Sequence, residues 1–290
     1  MISDKIPYDC LQKVFCNGGR LQKDVPAIVS QMIIGKSSCD LISERYKVMK
    51  ENYNLTYEQW QGHFGKDMAS FNGYTDTTTV TVQIGTDIPF RDILDMDKGA
   101  IGVDLPVWYN YDDASAPRVM IVAQDPLRSK KWYGTKPDCF CQDAVLSTPF
   151  ATHDFEHRNG NGKRMALLIA YLIQKKFGVY LTDARKYFID SHKTSEEYAH
   201  KHSQDYKEIF KKELEVIQPD LIVSFGKAAE TACVELLGTS GMRLLPLPHI
   251  APTANGAIKR YFRTEEKLTA ERVAALYGEE ILSKIKKCYF

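Results

Sequence analysis

Residues 217–229 read IQPDLIVSFGKAA. Pro219 lacks a backbone N–H and cannot continue a helix, so it ends whatever helix precedes it. Leu221 to Phe225 is a short run without polar alternation, the pattern of a strand covered on both faces. Gly226-Lys227 then leads into a helical pattern over Ala228 to Leu237, which makes a strand–turn–helix unit. The same grammar recurs outward from this stretch. Val119 to Ala123 (VMIVA) runs into Gln124-Asp125-Pro126, Val179 to Thr182 runs into Asp183, and Leu244 to Pro248 ends at His249. Between them lie Lys163 to Phe177, helical in period and stopped by Gly178, and a long polar helix to about Ile217 opened by a capping box at Thr194-x-x-Glu197. A helix from about Glu265 closes the chain. Strands alternating with helices predict a three-layer α/β/α sandwich around a central, mainly parallel four-stranded sheet.

The first 117 residues follow other rules. Cys39 to Lys50 has helical spacing, Trp60 to Tyr74 is loop-like with three glycines, and Thr77 to Ile84 alternates as a strand. Gly, Pro and acidic residues between Asp95 and Ser115 predict a linker or irregular connection. The expected division is therefore an N-terminal extension, 1–117, packed on an α/β/α core, 118–290. The formal net charge of +1 conceals a split of −5 over 1–117 and +6 over 118–290. The basic part suits an anionic partner, and solvated charged helices account for it equally well.

With 290 residues, 44% hydrophobic and 26% charged, the composition is that of a folded globular protein rather than a disordered one. The absence of a long apolar run and of an N-terminal signal core predicts a cytoplasmic protein with no membrane partner. Seven scattered cysteines without a C-x-x-C predict reduced thiols and no iron–sulfur or metal site. His153 and His157 beside Asp154 and Glu156 lack a third ligand and read as surface, and no cofactor is expected. There is no G-x-S-x-G, P-loop or G-x-G-x-x-G.

In parallel sheets ligands bind beyond the carboxyl ends of the strands. Here those ends carry Asp125, Asp183, Gly226-Lys227 and His249. Each alone has a bland explanation, such as a turn Asp before Pro or a structural histidine. An acid and a histidine at the ends of neighbouring strands would polarise opposite sides of one bond, the acid activating water and the histidine steadying a leaving anion.

The order of these motifs resembles the uracil-DNA glycosylase superfamily over roughly residues 118–260. Ala123-Gln124-Asp125-Pro126 is similar to the start of its first motif and Pro248-His249-Ile250-Ala251-Pro252 to its last. Tyr180-Leu181-Thr182-Asp183 and residues 217–229 are similar to the strand segments between them. The resemblance implies a DNA glycosylase that flips a base from the stack and hydrolyses its glycosidic bond without metal. It implies Asp125 and His249 as catalytic residues, and Gln124, Phe150, Asp183 and Leu127 around the base. It further implies DNA contacts from Gly226, Lys227 and the loop Ile250, Ala251, Pro252, Thr253 and Asn255. Lys163 and Arg164, after a Gly-Asn-Gly segment, are added as phosphate-binding candidates because N–H groups at a helix start can hold an anion.

The departures bear on the base. Where the family usually has an Asn that reads uracil, this chain has Asp183, and an ionised carboxylate only accepts hydrogen bonds. It should favour a base with an amino group at C4, as acid accepts from cytosine N4. The alternative is that Asp183 caps a turn or pairs with Arg185 or Lys186. Leu127 stands where some relatives carry a Tyr that blocks pyrimidine C5, and the insertion Arg128 to Leu146 would wall a bulkier group or form a surface loop. Together these predict a monofunctional glycosylase favouring a 5-substituted cytosine, glucosylated hydroxymethylcytosine included. Some bacterial relatives excise modified phage bases in antiviral defence. The other expectations are an ordinary uracil-removing repair enzyme and a DNA-binding module of the same fold that has lost catalysis.

Overall fold

The computed structural model of the protein describes residues 25–36, 80–83, 89–95, 101–104, 106–110, 113–126, 143–147, 162–238 and 243–289. The helices are α1 (Val25–Ile34), α2 (Lys163–Gln174), α3 (His192–Lys201), α4 (Ser203–Ile217), α5 (Lys227–Leu237), α6 (Asn255–Phe262) and α7 (Ala270–Tyr289). The strands are β1 (Val80–Gln83), β2 (Ile101–Asp104), β3 (Val107–Tyr109), β4 (Arg118–Ala123) and β5 (Asp143–Ser147). They continue with β6 (Gly178–Asp183), β7 (Tyr187–Phe188), β8 (Leu221–Phe225) and β9 (Leu244–Leu247).

The four apolar runs anticipated from sequence are β4, β6, β8 and β9, and they pair in parallel. A fifth strand, β3, adds antiparallel to β6 at the edge, giving the order β3-β6-β4-β8-β9. The stretch 95–115 is thus not a plain linker: it supplies β2 and β3. Its buried Val107-Trp108-Tyr109 is hidden in the sequence between Pro106 and Asn110.

Strand alternation splits the side chains between two layers. Val119 and Ile121 of β4, Val179 and Leu181 of β6, and Leu221, Val223 and Phe225 of β8 join the cluster that includes α2 and α7. Met120, Val122, Tyr180 and Ile222 face Phe210 and Ile217 of α4 and Cys233 of α5. Each such aliphatic side chain contributes about 1.5–3 kcal/mol by leaving water. The α2–α7 pair approaches closely because Gly278 has no side chain: a Cβ there would lie 2.3 Å from Tyr171 Cδ1.

A second sheet, β1-β5-β2-β7, draws on the N-terminal part and on the insertion after Asp125. The alternating stretch Thr77 to Ile84 contains β1, and residues 143–147 at the end of the insertion form a strand rather than loop. Cys39 to Lys50 and Trp60 to Tyr74 lie outside the described residues.

The long polar helix is two helices, joined at His202. Its start also differs from the Thr194–Glu197 capping box. Ser191 is extended (φ −146°, ψ 163°), and its Oγ accepts from the Thr194 backbone N–H at 3.2 Å, so Ser191 is the N-cap and His192 the first helical residue.

Candidate active site

Register sets the site. β4 and β6 pair in step from Arg118↔Gly178 to Ala123↔Asp183, and the pairing runs past both strand ends. Ala184 N–H donates to Ala123 O at 2.9 Å and Arg185 N–H to Gln124 O at 3.0 Å. This brings Arg185 and the following turn alongside Asp125.

The Asp125 side chain is 2% exposed, and its Oδ2 is the hub of a polar cluster. Gln124 Nε2 donates to it at 3.0 Å, His192 Nδ1 lies at 2.9 Å and Arg185 Nη1 at 3.7 Å. Arg185 also pairs with Glu196 at 3.1 Å. The cluster borders a cavity of about 420 Å³ reached by Gln124, Arg185, His192, Glu196, Lys207 and Lys227.

His249 follows β9. The Ala251 backbone N–H donates to its Nδ1 at 3.1 Å. An imidazole that accepts at Nδ1 is neutral and carries its proton on Nε2. Burial reinforces this by lowering the ring's pKa from 6.5. Asp125 and His249 do not stand on neighbouring strands as expected, because β8 runs between β4 and β9. Two interstrand spacings, about 10 Å, separate the strand ends, a gap on the scale of a ring between an acid and a hydrogen-bond donor.

Gly226 occupies the intervening strand end. Its φ is +84°, and a Cβ there would lie 3.3 Å from His249 Cβ. The glycine is therefore required where the β8–α5 turn passes against the histidine. Lys227 beside it is largely exposed and pairs with Glu230 at 3.2 Å.

Asp183 ends β6, next to Asp125, and is buried. Its backbone is held at both polar groups: its N–H donates to Asp104 Oδ2 at 3.0 Å, and Lys186 Nζ donates to its carbonyl at 2.8 Å. Of the two cations suggested as its partners, Lys186 thus reaches the Asp183 main chain, and both have carboxyl partners of their own. Arg185 faces Asp125 and Glu196, while Lys186 faces Asp104 at 3.0 Å and Glu213 at 2.9 Å.

This Lys186 cluster is wholly buried and includes Thr182 and Tyr180, the latter donating to Glu213 Oε1 at 2.9 Å. Burial opposes the Lys186 charge, but Glu213 and Asp104 outweigh it and hold the ammonium above its ordinary pKa. Burial raises the pKa of both Asp104 and Glu213 against the pull of Lys186. One cation thus faces two carboxyl groups beneath the strand end. None of Asp104, Lys186 or Glu213 was singled out from sequence as a site residue, and Asp104 lay in the supposed linker.

The loop after His249 divides into two kinds of residue. Pro252 and Thr253 are exposed, whereas Ile250 and Ala251 are buried and form its root rather than a surface for DNA. Arg164 is also a correction. It is 4% exposed, and it donates to Ile250 O at 3.0 Å, Asn255 Oδ1 at 2.9 Å and Leu268 O at 3.2 Å. Its guanidinium braces both ends of the loop instead of meeting a phosphate, and it engages Asn255 in doing so. Lys163 reaches Glu271 at 3.5 Å. Phe150 and Leu127 lie outside the described residues.

Among the described residues no three His, Cys, Asp or Glu are grouped to hold a metal, and no helix is long and apolar enough to cross a membrane. Cys233 is a buried thiol whose pKa burial pushes up to about 12, which suits packing rather than reactivity.

A search of curated proteins finds no match. The family model for the uracil DNA glycosylase superfamily matches residues 109–275, more than half of the chain. Its members are generally DNA glycosylases that act on DNA. The matched span starts within β3 and runs through β4, β6, β8, β9 and the loop after His249. The mainly parallel α/β fold is consistent with that match, and the chain belongs to the uracil DNA glycosylase superfamily.

Proposed function

We propose that the protein is a monofunctional DNA glycosylase that hydrolyses the N-glycosidic bond of a flipped non-standard pyrimidine and leaves an abasic site. The observation that carries this is the pairing of a buried carboxylate, Asp125, with a neutral N–H-bearing imidazole, His249, at strand ends two spacings apart. In the reaction the C1′–N bond breaks and its electron pair leaves with the base. The His249 Nε2–H steadies that anion by hydrogen bonding, as a preorganised donor does in a dry site. Asp125 steadies the cationic sugar and takes a proton from the water whose oxygen bonds to C1′. The departing base then takes up a proton, so charge balances.

The preferred base in this proposal is a 5-substituted cytosine, glucosylated hydroxymethylcytosine included, and the biological setting is defence against DNA carrying such bases. Asp183 supports the choice: it is buried at the strand end beside Asp125, and an ionised carboxylate only accepts hydrogen bonds. In this reading Gln124 contacts the base, a role that the family resemblance alone extends to Phe150 and Leu127, and Gly226, Lys227, Pro252 and Thr253 meet the DNA. The test is abasic-site formation on oligonucleotides carrying uracil, cytosine, 5-hydroxymethylcytosine, its glucosylated form or hypoxanthine. Release of a cytosine-type base, abolished by Asp125→Asn and redirected toward uracil by Asp183→Asn, is the expected result. Release of uracil alone refutes the role given to Asp183. DNA binding without abasic sites on any substrate refutes the enzyme.

A further inference from the structure

The geometry points to His192 as a positioning residue of this site: it clamps the Asp125 carboxylate through Oδ2 and so fixes Oδ1 as the oxygen that meets water. The inference rests on the glycosylase role of Asp125 proposed above.

Among the described residues, every polar contact of the Asp125 carboxylate falls on one oxygen. His192, Gln124 and Arg185 all converge on Oδ2. The 2.9 Å separation of His192 Nδ1 from Oδ2 fixes the proton. Two acceptors at that distance would repel, so Nδ1 carries the hydrogen and donates it. The 3.2 Å approach of Gln124 Nε2 to the same Nδ1 is then a contact between two donors that share Oδ2. Phe188 also packs edge-to-face with the ring, at 5.4 Å between centroids. Its backbone is set by the Ser191 N-cap, which makes His192 the first residue of α3. Three elements therefore converge on one carboxylate oxygen: the β4 end through Gln124, the turn after β6 through Arg185, and the α3 start through His192.

A carboxylate held on one oxygen cannot rotate to offer either oxygen at random. A misplacement on the order of 1 Å at a reacting group can cost about 10²-fold in rate. Arg185 is the weaker clamp, because its 3.7 Å contact is longer than a hydrogen bond and its other branch is drawn to Glu196. His192 is 56% exposed at the side chain and supports little of the core, so its removal should act on rate rather than on folding.

The experiment is single-turnover base release at saturating enzyme, on whichever oligonucleotide the wild type cleaves, for His192→Leu and His192→Asn. His192→Leu is expected to slow the chemical step by about 10- to 100-fold, with DNA affinity changed by less than about twofold. His192→Asn keeps a short N–H donor and is expected to recover most of the rate. In an Asp125→Asn background His192→Leu is expected to cost nothing further, since the group it positions is already gone. An undiminished rate in His192→Leu, or an equal added loss in the Asp125→Asn background, overturns the inference. Ring ¹H–¹⁵N NMR tests the bond without activity. A hydrogen-bonded His192 Nδ1–H signal should be present in the wild type and lost in Asp125→Ala, and its absence from the wild type also overturns the inference. A wild type that shows the signal but cleaves no substrate refutes the glycosylase role of Asp125 instead.

Discussion

Lys186→Met removes the only cation from the buried group beneath the Asp183 strand end while keeping the side-chain volume. Lys186 Nζ lies 3.0 Å from Asp104 Oδ2 and 2.9 Å from Glu213 Oε1, and all three side chains are within 1% of complete burial. Breaking a buried pair by deleting one partner costs about 3–5 kcal/mol, because the remaining charge has no compensation. Here two carboxyl groups are left facing each other, so the upper part of that range is expected. The sign of the pH dependence follows from the raised carboxyl pKa values. A carboxyl group whose folded pKa lies above its unfolded one adds stability at low pH and loses it as pH rises through the folded value. Without Lys186 both values move further up, so the penalty of the variant should be largest near neutral pH and shrink as pH falls toward the ordinary carboxyl range. Urea unfolding of wild type and variant at about pH 7.5 and about pH 5 measures this. Lys186→Met/Asp104→Asn/Glu213→Gln, which removes the whole charge set, should recover much of the loss. A cost under about 1 kcal/mol at neutral pH, or one that grows on acidification, refutes the cluster's assigned electrostatics.

Three further outcomes are expected. Gly226→Ala forces a Cβ to 3.3 Å from His249 Cβ at a φ of +84°, and should cost about 1–2 kcal/mol in urea unfolding while lowering the base-release rate. Arg164→Met removes the charged donor shared by Ile250 O, Asn255 and Leu268 O; it should cost about 1.5–3 kcal/mol and weaken DNA binding in fluorescence anisotropy. The lowered His249 pKa makes its neutral form a source of stability that is present above 6.5 and lost as pH falls through the folded value. His249→Gln should therefore flatten the stability-versus-pH curve on that acid side.

The fold was largely legible because the central strands are buried on both faces. VMIVA, VYLT, LIVSF and LLPLP stand out as apolar runs whatever their neighbours do. β3 escaped because only three residues carry its signal and Pro106 precedes them. The second sheet joins segments far apart in the chain, such as Val80 with Leu146, a pairing that local pattern does not encode. At the site, Asp125 and His249 were readable as polar residues at strand ends, but their separation by β8 was not, since strand order depends on long-range pairing. His192 was invisible for the same reason. It reaches Asp125 only because β4 and β6 pair in register and Ser191 starts α3 where it does. The signal that would have found it is the Ser191-x-x-Thr194 cap, which competes in the sequence with Thr194-x-x-Glu197. Arg164 misled because a basic residue after glycines at a helix start reads as a phosphate site. Whether such an arginine turns outward or inward is decided by a loop almost 90 residues away, through its 86-residue separation from Ile250.

The central claim is that Asp125 and His249 act together on one glycosidic bond. Single-turnover base release by the wild type, Asp125→Asn, His249→Gln and His249→Leu, on the substrate panel above, tests it most directly. The account predicts abasic sites from the wild type, almost none from Asp125→Asn, and a far smaller loss for His249→Gln, which keeps a donor, than for His249→Leu. Base release that persists in Asp125→Asn, or that is indifferent to His249, contradicts it.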